Sequence, residues 1–170
     1  VCKVSLNAGF SCPHLDSGGC IYCSKTGSGE FGGNVNSDLI TQFNTIKNML
    51  SKKWKNVKYI GYFQARTNTL APVSVLKEKY ETILNLDNVI GISIATRPDS
   101  ISVECLDYLE ELNKKTYLTV ELGLQTIKDE TSKLINRAHT LKEFEDMYKK
   151  LKDNNIKVVV HIINGLPYET

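Results

Sequence analysis

Cys12, Cys20 and Cys23 share one glycine-rich stretch, Asn7-Ala-Gly-Phe-Ser-Cys-Pro-His-Leu-Asp-Ser-Gly-Gly-Cys-Ile-Tyr-Cys23. Three thiolates on one loop, two of them in a Cys-x-x-Cys pair, can hold an iron–sulfur cluster. A [4Fe–4S] cluster takes four ligands, so three cysteines leave one iron open to an exogenous molecule. An open metal position is a chemical site, whereas a closed one is a brace. The same loop supports a second chemistry. His14 follows Cys12 by two positions, and a Cys-x-His…Cys-x-x-Cys set can close around structural zinc.

Other residues carry weaker signals. Gly27-Ser-Gly-Glu-Phe-Gly32 matches the dinucleotide pattern G-x-G-x-x-G, but it follows no strand directly and lacks an acidic residue ending a second strand. It reads instead as backbone that passes close to a cluster, and a nicotinamide or flavin enzyme is the lesser alternative. Gln64, Arg66 and Asn68 stand at alternate positions, so on an extended segment they would face one way, toward a substrate. Arg97 either pairs with Asp99 or faces a pocket. His161 lies inside an apolar run and points toward an interior, while His139 is read as orienting Arg137. Lys47, Lys52, Lys53, Lys55 and Lys58 read as a solvated face, with a substrate contact as the alternative.

These groups need a scaffold. The chain has 170 residues, 41% hydrophobic and 24% charged, with a net charge of +2; this is the profile of one ordinary globular domain. That charge does not by itself indicate nucleic acid or membrane. No apolar run reaches membrane-spanning length, and Val1-Cys-Lys-Val-Ser-Leu6 is not a signal peptide. Five cysteines, clustered rather than spread, argue for a reducing, cytoplasmic setting and for metal over disulfides. Cys2 and Cys105 are expected to be small buried residues.

Strand-like runs at 57–63, 89–95, 117–124 and 156–163 follow a first strand ahead of the cysteines. Amphipathic helices alternate with them, capped at Ser37 or Asp38, opened by Pro72, capped at Ser102, and opened by the capping box Thr140-Leu-Lys-Glu143. A short helix is expected near 129–135. Such alternation means a parallel sheet covered by helices, with the site at the carboxyl ends of the strands. The closing Gly165-Leu-Pro-Tyr-Glu-Thr170 reads as a turn leading onward.

The cysteine loop resembles that of radical S-adenosylmethionine enzymes, and more narrowly of the YhcC-like group related to elongator-type tRNA acetyltransferases. The later strand ends share the likeness: Tyr62-Phe-Gln-Ala-Arg-Thr-Asn-Thr69, Thr96-Arg-Pro-Asp99, Val120-Glu-Leu-Gly-Leu-Gln-Thr126, Ile135-Asn-Arg-Ala-His-Thr140 and His161-Ile-Ile-Asn-Gly-Leu-Pro167. The resemblance implies an α/β fold, a partial (β/α)6 TIM-like barrel of which about five parallel strands are present. It also implies that residues 1–170 are an incomplete radical domain lacking its last helix and strand. Cys12, Cys20 and Cys23 would ligate a [4Fe–4S] cluster whose open iron chelates S-adenosylmethionine. Reductive cleavage would yield a 5′-deoxyadenosyl radical, the electron coming from a donor such as flavodoxin or ferredoxin. Gln125 would contact ribose, Arg137 the methionine carboxylate and Tyr22 the adenine, with Ile163, Gly165 and Leu166 bordering it. Gln64, Arg66, Asn68, Arg97 and His161 are the substrate-facing candidates, and RNA is the substrate class implied. Two departures stand out: the loop is Cys-x7-Cys-x2-Cys rather than the commoner Cys-x3-Cys-x2-Cys, and Ala95 replaces a glutamate that elongator-type relatives carry.

Overall fold

The computed structural model describes residues 1–24 and 32–169; of the Gly27–Gly32 pattern only Gly32 falls among them. Five strands, β1 (Cys2–Leu6), β2 (Tyr59–Phe63), β3 (Val89–Thr96), β4 (Tyr117–Gln125) and β5 (Lys157–Ile162), form one sheet. They lie in sequence order and every neighbouring pair is parallel. Each crossover is helical: α1 (Leu39–Lys53), α2 (Val73–Leu84), α3 (Val103–Asn113), and the pair α4 (Asp129–Leu134) and α5 (Leu141–Asp153). The alternation predicts this helix-covered parallel sheet, and its sequential strand order is that of an arc of a TIM-like barrel, as the family resemblance implies.

Local chemistry sets the helix starts. Asp38, not Ser37, caps α1, its carboxylate accepting from the Thr41 amide at 2.9 Å. Ser102 caps α3 through the Cys105 amide. Thr140 and Glu143 close a reciprocal capping box at α5. Pro72 sits at the N-cap of α2 rather than inside its first turn.

Side chains alternate across the sheet. Ile92 and Ile94 of β3 and Leu118, Val120 and Leu122 of β4 pack outward with Leu76, Leu109, Phe144 and Leu151 of the helices. The opposite face of β4 carries Thr119, Glu121, Gly123 and Gln125 instead. β4 is therefore apolar toward the helices and polar toward the concave face. Cys105 is buried as expected, whereas Cys2 is only half-buried. Tyr59, beneath Lys47, begins β2, and Lys58 bonds Asn88 just before β3. The lysine cluster thus lies at the end of the sheet opposite the cysteines, which excludes it from the site.

Candidate functional site

At the carboxyl ends of the strands lies a cavity of about 500 Å³. Cys12, Cys20, Tyr22 and Cys23 from the β1–α1 loop line it, with Gln64, Arg66, Arg97, Gln125 and His161 from the later strand ends. The structure therefore brings together residues from all five strand exits.

The cysteine loop is pinned to the segment after α4. The Asn136 amide nitrogen donates to the Gly19 carbonyl at 2.7 Å, and the Ile21 amide donates to the Ile135 carbonyl at 3.1 Å. Gly18 and Gly19 take φ of 92° and 67°, the left-handed turn that glycine enters without steric cost. His14 is committed to this clamp: its Nε2–H donates to the Asn136 carbonyl at 2.9 Å, and its Nδ1 accepts from the Ser17 hydroxyl. With both ring nitrogens engaged, His14 offers no free lone pair to a metal.

Cys20 is buried and Cys23 exposed. A hydrogen bond from Cys23 lowers the Cys20 thiol to about 6 against the opposing effect of burial, helped by Tyr22 and by the charge of Arg97. Thiolates at neutral pH are the species that bind metal. Burial, and then the hydrogen bond to Cys20, push the Tyr22 hydroxyl far above its ordinary range, so it stays a donor. Arg97 is held from two sides: Nε and Nη2 bond the Asp99 carboxylate at 2.9 and 2.7 Å, and Nη1 the Arg137 carbonyl at 3.0 Å. The two sequence readings of Arg97 are therefore both realised, a pair with Asp99 and a place on the cavity wall.

No three His, Cys, Asp or Glu side chains among the described residues converge on a point suited to one metal ion. All three cysteines line the one cavity, and three thiols on one loop are a donor set of the kind that iron–sulfur clusters take from a protein.

Deeper in the cavity, Glu121 is 4% exposed and gathers a ring of partners. Oε2 accepts from His161 Nε2 at 2.7 Å; Oε1 accepts from Ser93 Oγ and Lys3 Nζ. Tyr62 also bonds it. Burial opposes the charge, but these bonds and the Lys3 cation outweigh it and hold the carboxyl down to about 2. Sequence reasoning passed over Lys3, Tyr62, Ser93 and Glu121. A lone carboxylate between Val120 and Leu122 was the available signal.

Gln125 ends β4 at φ 60°, and its buried Oε1 has no partner. A Cβ on Gly123 would come within 2.6 Å of the Gln125 Nε2, so that glycine leaves the room the amide occupies. An orphaned acceptor beside a cysteine-lined space fits a hydroxyl-bearing cofactor.

Some expected positions fall elsewhere. The segment after β2 is not extended, because Arg66 turns at φ 66°; Gln64 and Arg66 reach the cavity but Asn68 does not. Asn68 is wholly buried, its Nδ2 donating to the carbonyls of Phe63 and Ala95 at 3.0 and 2.9 Å. Arg137 is 1% exposed and is absent from the cavity wall. Its guanidinium bonds the carbonyls of Leu124, Thr126 and His139, which welds the β4 exit to the entrance of α5. Ile163, Gly165 and Leu166 follow β5 but do not line the cavity. His139 does line it, a position the sequence reading assigned only to orienting Arg137.

A model of the radical SAM superfamily matches residues 11–170. The chain is 57% identical to the uncharacterized protein YtqA of Bacillus subtilis over 99% of its own length and 54% of that protein's. It is 34% identical to YhcC of Escherichia coli over 98% of its length and 54% of that protein's. The chain thus spans about half the length of these curated relatives. The solved structure of archaeal Methanocaldococcus infernus Elp3 with an N-terminal deletion superposes with a TM-score of 0.66, at 20% identity, over 99% of this chain and 39% of that one. At that identity the likeness shows the fold.

Proposed function

This chain belongs to the radical SAM superfamily, in the YhcC-like group related to Elp3, and on that premise we propose that Cys12, Cys20 and Cys23 hold a [4Fe–4S] cluster facing S-adenosylmethionine. One observation carries the reading: all three cysteines line the same cavity as Gln125 and the Glu121–His161 pair. Bound together, cluster and S-adenosylmethionine supply one-electron cleavage of the sulfonium and a 5′-deoxyadenosyl radical.

The protein's part is placement. Tyr22 and Arg97 stabilise the thiolate of Cys20. Gln125 offers its free acceptor to a ribose hydroxyl. Arg97, rather than Arg137, presents a guanidinium toward the cysteines and is the residue suited to a carboxylate there. Gln64, Arg66 and His161 face the remaining space, where substrate would sit. In this proposal residues 1–170 form the larger part of a radical domain. An external one-electron donor such as flavodoxin or ferredoxin and an RNA substrate are the partners the family resemblance implies, and the net charge of +2 adds no support for the second.

The test is anaerobic reconstitution with iron and sulfide, reduction, and EPR with and without S-adenosylmethionine. The expected result is a [4Fe–4S]+ signal that S-adenosylmethionine perturbs and that Cys20→Ala abolishes. Tight zinc with no cluster would overturn the proposal in favour of a metal-braced scaffold.

A further inference from the structure

Five buried side-chain nitrogen or oxygen atoms among the described residues lack a hydrogen-bond partner: Asn68 Oδ1, Tyr108 Oη, Gln125 Oε1, and both ring nitrogens of His139. Each is a desolvated group with nothing in return. They are not scattered. Three of the five belong to two residues that line the cavity, Gln125 and His139.

His139 is 3% exposed, and its backbone is fixed from both sides. Its carbonyl accepts from Arg137 Nε at 3.0 Å, and the next residue, Thr140, caps α5. The ring is therefore held in place while its two nitrogens are left open. Burial first, and then the neighbouring Arg137 and Arg97 cations, push its pKa down to about 4, against the smaller opposing pull of Asp99 and Glu143. The imidazole is neutral under ordinary conditions, with one N–H donor and one acceptor nitrogen.

That pairing limits what can satisfy it. A carboxylate only accepts and an ammonium only donates, so either would leave one ring nitrogen unpaired. Hydroxyls and the edge of a purine do both. Gln125 adds a second free acceptor on the same wall. We propose that His139 is a ligand-binding residue which, with Gln125, forms a subsite for the neutral nucleoside half of a bound nucleoside ligand. The inference rests on the reading above, in which that ligand is S-adenosylmethionine, and it assigns the methionine half to other groups.

The experiment uses 5′-deoxyadenosine and methionine as separate probes. In protein labelled with ¹⁵N-histidine, with His139→Gln providing the assignment, 5′-deoxyadenosine should shift the His139 ring resonances and methionine should not. By calorimetry His139→Leu should weaken 5′-deoxyadenosine about tenfold, the order expected when a buried hydrogen-bonding group loses its partner. His139→Gln, which keeps a donor and an acceptor, should recover part of the loss, and methionine binding should be unchanged in both. If S-adenosylmethionine binds normally but the His139 resonances stay still and His139→Leu binds 5′-deoxyadenosine like the parent, the subsite is overturned and the radical reading survives. A methionine-specific loss in His139→Leu overturns it too, placing His139 at the other end of the ligand. If the cluster-loaded parent binds neither S-adenosylmethionine nor 5′-deoxyadenosine, the radical reading falls and the subsite falls with it.

Discussion

Glu121 on β4 accepts a 2.7 Å hydrogen bond from Nε2 of His161 on β5, and that pair is the centre of the concave face. Lys3, Tyr62 and Ser93, one each from β1, β2 and β3, bond the same carboxylate. Every strand thus contributes one side chain to a single charge. Facing a carboxylate, Nε2 is the donor in that bond.

The Glu121 carboxyl should set an acid limb of stability. Its folded pKa of about 2 lies below the 4.5 of a free glutamate, so its contribution is complete above 4.5 and is lost as pH falls toward 2. Thermal melts across that range should show the loss in the parent and a flatter profile in Glu121→Gln. Glu121→Ala should cost about 2 kcal/mol at neutral pH, less than a fully buried pair because Lys3 and His161 remain partly in water.

His139 should add a separate limb at higher pH in ligand-free protein. Its folded pKa of about 4 lies below the ordinary 6.5. The unfolded chain therefore takes up a proton first, and stability should decline as pH drops from 6.5 to 4. Replacing His139 by Gln should remove this decline while leaving the Glu121 limb in place.

Arg137 should behave as a clamp. Arg137→Leu strands the carbonyls of Leu124, Thr126 and His139 and should cost about 3 kcal/mol by denaturant unfolding. Arg137→Lys should recover only part, because an ammonium cannot reproduce a planar fork. If Arg137 instead anchored a methionine carboxylate, Arg137→Lys would leave stability intact and weaken methionine binding.

Gly123→Ala tests the room given to Gln125. The new Cβ would meet the Gln125 Nε2 at 2.6 Å, and a flexible amide moves more easily than a strand. S-adenosylmethionine affinity should fall by about tenfold, the loss of one buried hydrogen bond to ligand, with little change in melting temperature. A large drop in melting temperature would mean that the strand, not the amide, gave way.

In metal-free protein Cys20 and Cys105 should differ sharply toward iodoacetamide. Cys20 titrates near 6, so its modification should fall as pH drops below that value. Burial pushes Cys105 up to about 12, which leaves it a protected thiol at neutral pH. Mass spectrometry of the digests reads both. Arg97→Gln should move the Cys20 midpoint upward by removing a favourable charge.

Much of this protein was legible in its residues alone. The order of strands and helices follows from the spacing of apolar side chains, and the starts of α3 and α5 from Ser102 and Thr140, because periodicity and capping are local; at α1 the residues offer Ser37 or Asp38, and the structure takes Asp38. The cysteine trio is also local: three thiols on one loop are visible without a fold. Which polar side chains meet was decided only by the tertiary structure. Asn68 and Arg137 sit within sequence motifs beside residues that reach the cavity, yet a left-handed turn at Arg66 and a set of buried carbonyls after β4 draw them into the scaffold. Conversely, Lys3, Ser93, Glu121 and His161 lie far apart along the chain and form one network because parallel strands bring their inward faces to a common depth. Hydrogen bonds between distant strands depend on register and curvature, and a linear pattern of residue types contains neither.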